Sequence, residues 1–236
     1  MPLYPSLDDD LTLITTGSRP LKRTIQMNIN STNPSTSSLP LFKLKCLCLN
    51  NVKELDESTL DDCRFENLSS LSIANIPLLV SLPLSLQHLV QLKTLEIVDC
   101  SGLRSLFPVF QHLTSLETLR IRNCKELELS ADGIQTFRDY TCLGDLYLES
   151  IPKCRNLPRW IQHLTNLRKL HLNNFPNLTS LPDEMRCLTT LQQLMLERIP
   201  MLEDGMRFHR VYGEDWQKIA HIPHVFAHGK WMQDRW

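Results

Sequence analysis

The sequence has few glycines and lacks the short motifs that form phosphate-binding loops and common catalytic sites. Only seven glycines occur among 236 residues, and backbone approaches a phosphate most closely where glycine removes the Cβ atom. No GxxxxGK[ST], GxGxxG, GxSxG or HExxH segment is present, so the usual nucleotide-binding, hydrolase and zinc-protease signatures are missing. Acidic residues are scattered rather than paired. We therefore predict a protein that is not an enzyme and that has no cofactor or metal of its own.

A strong net charge and long apolar runs are also absent. Lys and Arg number 25, Asp and Glu number 26, and the net charge of -1 argues against bulk electrostatic attraction to nucleic acid or membrane. No run of about 18 apolar residues is long enough to span a bilayer. The first residues, MPLYPSLDDDLT, have neither the basic nor the apolar region of a secretory signal. We expect a cytoplasmic chain without a membrane span, whose partner is protein rather than nucleic acid.

What the sequence does contain is a repeat of 24 residues. The segment from Leu157 to Leu172 returns as Leu181 to Leu196, with leucine, proline and threonine at matching places. In each unit the pattern LxxLxL alternates apolar with polar residues, as in a short half-buried strand. Repeats of this length stack into solenoids. We predict an α/β repeat protein: an open leucine-rich-repeat solenoid with short parallel strands on its concave face.

Seven strands can be placed by the first core leucine of each. These leucines are 24, 24, 24, 27, 24 and 24 residues apart: Leu47, Leu71, Leu95, Leu119, Leu146, Leu170 and Leu194. The 27-residue step contains Ser130 to Thr141, which we expect to bulge from the convex side. Segments such as RWIQHL after the Leu-Pro turns predict one helical or 3₁₀ turn on that side. His88, His112 and His163 recur at one register there, and we interpret them as partly exposed convex residues.

The two ends differ from the repeats, and we divide the chain into three parts. Residues 1–43 form an irregular segment in which SLDDDLTL is a candidate degenerate repeat strand, residues 44–202 hold the repeats, and residues 203–236 form a cap and tail. Terminal coils need covering, because they otherwise expose apolar side chains. Trp216, Ile219 and Ile222 are the predicted C-terminal cap. We expect the first coil, at Leu47, to be poorly covered and to exchange its amide protons fastest.

Eight cysteines are present, and none has the CxxC spacing of a structural zinc site. Cys100 and Cys124 each follow an isoleucine by three residues, at a place that holds Ile76 in another repeat. Free cysteine packs as a small hydrophobe, so we interpret both as reduced core residues. Histidines of the tail, such as His221 and His228, do not predict a metal site, because a proline interrupts the helix that would align them.

The outward residues of the seven strands form two columns. The central column is Cys48, Ser72, Glu96, Arg120, Tyr147, His171 and Met195, and the second is Asn50, Ala74, Val98, Arg122, Glu149, Asn173 and Glu197. Arg and Tyr are enriched where binding energy concentrates. We therefore predict a protein-binding surface made of Glu96, Arg120, Arg122, Tyr147, Glu149, His171, Asn173 and Met195. The alternative is that these residues are only solvated strand positions.

The repeat unit LxxLxLxxCxxLxxLPxxIxxLTxLxxL, found in Leu92 to Leu116 and in Leu143 to Leu191, resembles that of plant intracellular nucleotide-binding leucine-rich-repeat (NB-LRR) disease resistance proteins. The ending GEDWQKIAHIP, from Gly213 to Pro223, is similar to the tail of their coiled-coil, RGA-like subgroup. The resemblance implies a module that recognises pathogen effectors or effector-modified host proteins and regulates a nucleotide-binding switch. The family's ADP- or ATP-binding domain and coiled coil are missing from this sequence.

The sequence leaves one other function open. A cytosolic leucine-rich-repeat adaptor, such as the substrate receptor of a ubiquitin ligase, would have the same repeats, although no F-box-like helical module precedes Leu41. Because the first coil lacks an obvious cover, we expect the chain to be the C-terminal part of a larger receptor. Expressed alone, such a part should be prone to aggregation.

Overall fold

The strands of this computed structural model form a single open sheet. The structure describes residues 11–16, 44–52, 55, 65–107, 109–129, 142–202 and 213–232. Each strand lies beside its neighbours in sequence, from β1 at one edge to β10 at the other. The strands are β1 (Leu11–Thr16), β2 (Leu44–Asn50), β3 (Ser70–Ala74), β4 (Thr94–Val98), β5 (Thr118–Arg122), β6 (Asp145–Glu149), β7 (Lys169–Asn173), β8 (Gln193–Glu197), β9 (His224–Ala227) and β10 (Lys230–Trp231). Strands β1 to β9 are parallel, and β10 pairs antiparallel with β9.

The predicted leucine ladder is present in β2 to β8. Leu47 pairs with Leu71, and the pairing continues through Leu95, Leu119, Leu146, Leu170 and Leu194 without a shift of register. All seven side chains are buried. Since successive side chains of a strand point to opposite faces, the residues between the leucines lie on the other face of the sheet. The predicted fold, an open leucine-rich-repeat solenoid with short parallel strands, is confirmed.

Cysteine occupies the small core position that its spacing predicts. Cys100 and Cys124 are fully buried in the same core as Ile76 and Phe175. Burial raises the pKa of the Cys124 thiol to about 12, and it does the same for Cys154. These thiols therefore stay protonated at neutral pH, where they pack as apolar groups. The seven cysteines within the described residues form no disulfide.

A left-handed residue follows each of β2 to β8. The φ angles lie between 52° and 57° at Asn51, Asn75, Asp99, Asn123, Ser150, Asn174 and Arg198. Asn and Asp tolerate this region better than most residues. Side chains of adjacent turns also pair, since Asn123 Nδ2 donates to Asp99 Oδ1 at 2.7 Å and Asn174 Nδ2 donates to Ser150 Oγ at 2.8 Å. These left-handed residues end each of β2 to β8 at the same level of the solenoid.

The convex side carries 3₁₀ helices, as the segments after the Leu-Pro turns predict. They span Leu84–His88, Val109–His112, Arg159–His163 and Asp183–Cys187. The three repeated histidines, His88, His112 and His163, end three of these helices, and they are exposed or half-buried. A repeated helix position, rather than a metal site, explains their common register.

The 27-residue step is bridged by two aromatic residues. The predicted bulge from Ser130 to Thr141 lies outside the described residues. Phe110 precedes this segment in the chain and Trp160 follows it, and the centroids of their rings are 6.4 Å apart. The Trp160 indole N–H donates to the Leu129 carbonyl at 3.1 Å. Both rings are buried, so the coils before and after the longer step share one continuous core.

Among the described glycines Gly102, Gly144 and Gly229, Gly102 is the one whose backbone has no room for a Cβ atom. A Cβ atom at Gly102 would lie 2.4 Å from the Pro77 carbonyl oxygen, whereas a Cβ at Gly144 would meet nothing nearer than the Glu117 carbonyl oxygen at 3.8 Å. We expect Gly102→Ala to lower the free energy of unfolding by about 1 to 3 kcal/mol, because backbone must shift. Gly144→Ala is the matched control and should be neutral or stabilising by up to about 1 kcal/mol. Urea unfolding measures both, and equal effects would show that the contact is not tight.

The N-terminal edge differs from expectation. Strand β1 pairs with β2 along its length, with Leu13 opposite Leu47 and Thr16 opposite Asn50. The prediction that the first coil is poorly covered is wrong, because Leu47 and Leu49 are buried. The last three residues of the candidate degenerate strand SLDDDLTL form the start of β1, and the others lie outside the described residues. Of residues 1–43, only β1 belongs to the described residues.

The C-terminal edge is also more regular than the sequence suggests. The predicted cap residues Trp216, Ile219 and Ile222 are all buried, and the first two belong to a short helix, α1 (Trp216–Ile219). The tail then continues into β9 and β10, which the repeat pattern does not predict. Val225 pairs with Leu194 and is buried in its place in the ladder. Seven strands are therefore too few, since β1, β9 and β10 also belong to the sheet. A strand can join a sheet by backbone pairing alone, without a leucine at the repeat spacing.

Candidate functional site

The outward residues of β2 to β9 form a surface that we call the concave face. Its columns follow the strand register, so that Glu96, Arg120, Tyr147, His171 and Met195 lie side by side on consecutive strands. The inward leucines of the same strands are buried, which holds these positions on a rigid support. The residues predicted for the central column are therefore neighbours in space.

Contacts between side chains order the middle of this column. The Arg120 guanidinium lies 4.7 Å from the centre of the Tyr147 ring, within the range of a cation–π interaction. The Tyr147 and His171 rings meet edge to face, with centroids 6.1 Å apart. His171 Nε2 lies 3.5 Å from Glu197 Oε2. Neighbouring strands thus present preordered groups: a cation, a phenol, an imidazole and a carboxylate.

The second column is organised by Arg198, which the sequence does not single out. Arg198 Nε donates to Asn173 Oδ1 at 2.9 Å, and Arg198 Nη2 lies 3.7 Å from Glu149 Oε1. Asn173, which the sequence predicts as a binding residue, is 8% exposed. Its amide is covered because Arg198, at the turn after β8, folds back over β7. Arg198 therefore lies beside two residues of the predicted surface, Asn173 and Glu149.

A shallow cleft of about 150 Å³ lies at the centre of the concave face. It brings together six of the eight predicted residues: Glu96, Arg120, Arg122, Tyr147, Glu149 and His171. Met195 lies one strand beyond His171. Pockets for small molecules are typically about 300 to 1,000 Å³, so this cleft is small for an enclosed ligand and suits side chains of a larger partner.

An aromatic group extends the central column beyond the predicted surface. Phe226 of β9 pairs with Met195, and the Trp231 ring lies 5.3 Å from the Phe226 ring and 6.4 Å from that of His224. Trp231 is 40% exposed. Sequence reasoning missed both residues because it placed no strand after Leu196. The alternation in HVFA, followed by the turn His228-Gly229, is the signal that could have revealed the strand.

The chain matches no protein-family model and no curated protein. Among solved structures, it resembles the leucine-rich-repeat domain of the type III effector XopL, with 23% identity, a TM-score of 0.52, and coverage of 78% of this chain and 84% of that domain. The chain has the leucine-rich-repeat fold. The plant peptide hormone receptor RGFR1, in complex with RGF2, is 21% identical over 66% of this chain and 29% of the receptor chain, with a TM-score of 0.42. Internalin C2 from Listeria monocytogenes is 14% identical over 78% of this chain and 73% of its own, also with a TM-score of 0.42.

Two other surfaces of this leucine-rich-repeat domain are notable. A groove of about 680 Å³ lies beside β8 and β9 and is lined by residues that include Leu202, Phe226 and His228. The flank of the coil between β3 and β4 exposes four apolar side chains: Leu78, Val80, Leu84 and Val90.

The described part of the chain contains neither a metal-ligand group nor a membrane-spanning helix. Its His, Cys, Asp and Glu side chains form no group of three or more that could hold a metal ion. Within the same residues, no helix is long and apolar enough to cross a membrane. The concave face holds the ordered row of Arg120, Tyr147, His171 and Glu197. We take that face as the candidate site.

Proposed function

We propose that this chain is a protein-recognition module whose concave face binds a partner protein. The observation that carries the proposal is the register that places Arg120, Tyr147 and His171 side by side on β5, β6 and β7, half-buried or exposed, above buried leucines. Arg and Tyr dominate binding hot spots because they combine apolar area with polar contacts. A rigid sheet also reduces the entropy lost on association.

The finer proposal is that the chain is the recognition part of a plant immune receptor. Its support is the similarity of GEDWQKIAHIP to the tail of RGA-like disease resistance proteins. In this fold the same segment contributes α1 and the turn into β9. The partner would then be a pathogen effector or a host protein that the effector modifies, met in the cytoplasm. A nucleotide-binding domain of the same receptor would be the second partner.

Photo-crosslinking tests the concave face as the binding surface. A photoreactive phenylalanine analogue replaces Met195 on the concave face in one variant and His112 on the convex side in the other. In extract of the source tissue, we expect a discrete crosslinked protein from position 195 and none at that mass from position 112. Adding Arg120→Ala and Tyr147→Ala to the first variant should abolish the adduct, because these side chains supply the contacts. Equal crosslinking from both positions would contradict the proposal.

Thermal unfolding of Arg120→Ala/Tyr147→Ala is the control for that experiment. Exposed and half-exposed strand residues usually change stability by less than about 0.5 kcal/mol each, so the melting temperature should stay nearly unchanged. A loss comparable to that of a core leucine would show that these side chains support the fold instead. Mass spectrometry of the adduct distinguishes the two hypotheses for function. An effector or its host target supports the receptor, and a ubiquitin-ligase substrate supports the adaptor.

A further inference from the structure

Arg120 and Arg122 project from β5 without a carboxylate partner among the described residues. The acids in register with them are Glu96 on β4 and Glu149 on β6. Ser72 Oγ, on the far side of β4, donates to Glu96 Oε2 at 3.4 Å. Glu149 is contacted from the opposite direction, by Arg198 at 3.7 Å. The two neighbouring acids are thus engaged away from β5, and neither arginine forms an ion pair with a described residue.

The two arginines are placed to act together. They are two residues apart on one strand, so their side chains share one face of the sheet. Both are exposed, and both line the 150 Å³ cleft. The Tyr147 ring, 4.7 Å from the Arg120 guanidinium, restricts one of the two long side chains. Guanidinium groups bind carboxylates through paired N–H donors, and a restricted pair loses less entropy on binding.

The concave face becomes apolar on one side of this pair. From β6 towards the C-terminal edge, the central column runs through Tyr147, His171, Met195, Phe226 and Trp231. Across β4 and β3 in the other direction it holds Glu96 and Ser72. A partner segment lying along the column would therefore meet cations first and an aromatic surface afterwards.

We propose that the concave face binds an extended acidic segment of a partner protein. A carboxylate of the segment pairs with Arg120 and Arg122, and an apolar side chain packs on Met195, Phe226 and Trp231. This inference rests on the proposed function, because it names the chemistry of the partner for the same face. Nucleic acid is a poor occupant, since its phosphates recur along the whole strand and those beyond the two arginines would meet Glu197 on β8.

Strand spacing sets the distance between the two parts of the segment. Adjacent strands are about 4.8 Å apart, and an extended peptide advances about 3.3 Å per residue. Met195 and Phe226 are three and four strands from β5, or roughly 14 to 19 Å. The acidic and apolar residues should therefore be separated by about four to six positions. Between them the segment passes Glu197, which disfavours a second acid at that point.

Selection from a random peptide library displayed on phage tests this chemistry on the full chain. The probe is a library of linear peptides long enough to cross the face. We expect wild-type protein to enrich peptides with an Asp or Glu about four to six positions from a Phe, Leu or Met. Synthetic versions of the enriched peptides should bind Arg120→Ala/Arg122→Ala about tenfold or more weakly, the loss expected for charged hydrogen bonds.

Charge reversal gives the sharpest outcome. The Arg120→Glu/Arg122→Glu variant should enrich Lys or Arg in place of the acid while keeping the apolar residue. Arg155→Glu/Arg186→Glu makes the same change in net charge at exposed positions outside the concave face, and it should select the same acidic peptides as wild type. Thermal unfolding of each variant confirms that selection is made on folded protein.

The results separate this inference from the proposed function. Peptides that lack an acid, but lose binding when Met195 or Phe226 becomes alanine, would overturn the acidic partner and leave the concave face as the binding surface. Acidic peptides bound equally by the control and the Arg120→Glu/Arg122→Glu variant would overturn the assignment of the two arginines. If no selected peptide depends on any concave-face residue, both proposals are wrong.

Discussion

Replacing Leu170 by alanine is expected to lower the free energy of unfolding by about 2 to 5 kcal/mol. Leu170 is 1% exposed and lies between Leu146 and Leu194 in the ladder. Truncation removes apolar burial and leaves a cavity that the two adjacent coils cannot fill, because each is fixed by its own backbone pairing. In a solenoid, each coil is stabilised chiefly by its neighbours. Urea unfolding followed by circular dichroism measures the change.

Arg168→Ala is the matched control for this substitution. Arg168 lies two residues before Leu170 and is exposed, and surface changes of this kind usually stay within about 0.5 kcal/mol. Hydrogen exchange adds a spatial test. Amides of β6, β7 and β8 should lose protection together in Leu170→Ala, since the cavity weakens both interfaces of one coil. A loss below about half a kilocalorie per mole would place Leu170 outside the core.

The second large effect is expected where the C-terminal cap joins the last repeat. Asp215 is 1% exposed, and its Oδ1 accepts a hydrogen bond from the Leu181 amide at 3.2 Å. Lys218 Nζ donates to the same Oδ1 at 3.1 Å and to the Leu181 carbonyl at 2.6 Å. The cap therefore binds both the backbone N–H and the backbone carbonyl of Leu181. We infer that this junction holds α1 and β9 against the solenoid.

Lys218→Met should destabilise the protein markedly, because it removes the ammonium group that donates to the buried Asp215 carboxylate and to the Leu181 carbonyl. Breaking a buried pair typically costs about 3 to 5 kcal/mol, and we expect the lower end because the Lys218 side chain keeps 15% exposure. Asp215→Asn/Lys218→Met should recover part of the loss, since a neutral side chain then replaces the buried carboxylate. Urea unfolding of the single and double variants measures the coupling. Strictly additive losses would show that the pair does not act as a unit.

Much of the fold follows from local repetition in the sequence. The 24-residue period sets the register of β2 to β8, because a shift by one residue would turn every leucine towards solvent. The same period predicts the small core position of Cys100 and Cys124 and the convex 3₁₀ turns. It also places Arg120, Tyr147 and His171 in one column. These features need no knowledge of distant contacts, since each coil repeats the surroundings of the one before.

Only the tertiary structure shows which strands complete the two edges of the sheet and which partners the polar side chains contact. Strand β9 joins the sheet through backbone hydrogen bonds, which any residue except proline can donate, and its segment HVFA carries no leucine pattern to reveal it. The leucines of β1 suggest a degenerate strand, but only its pairing with β2 shows that it covers the first coil. Asp215 is 34 residues from Leu181, and no periodicity predicts a contact of that kind. Arg198 donates a hydrogen bond to Asn173 and forms an ion pair with Glu149, two contacts that the repeat pattern does not predict. The sequence determined which residues of β2 to β8 line the concave face, but the added strands and the contacts between coils decided where the face ends and which of its charges remain open to a partner.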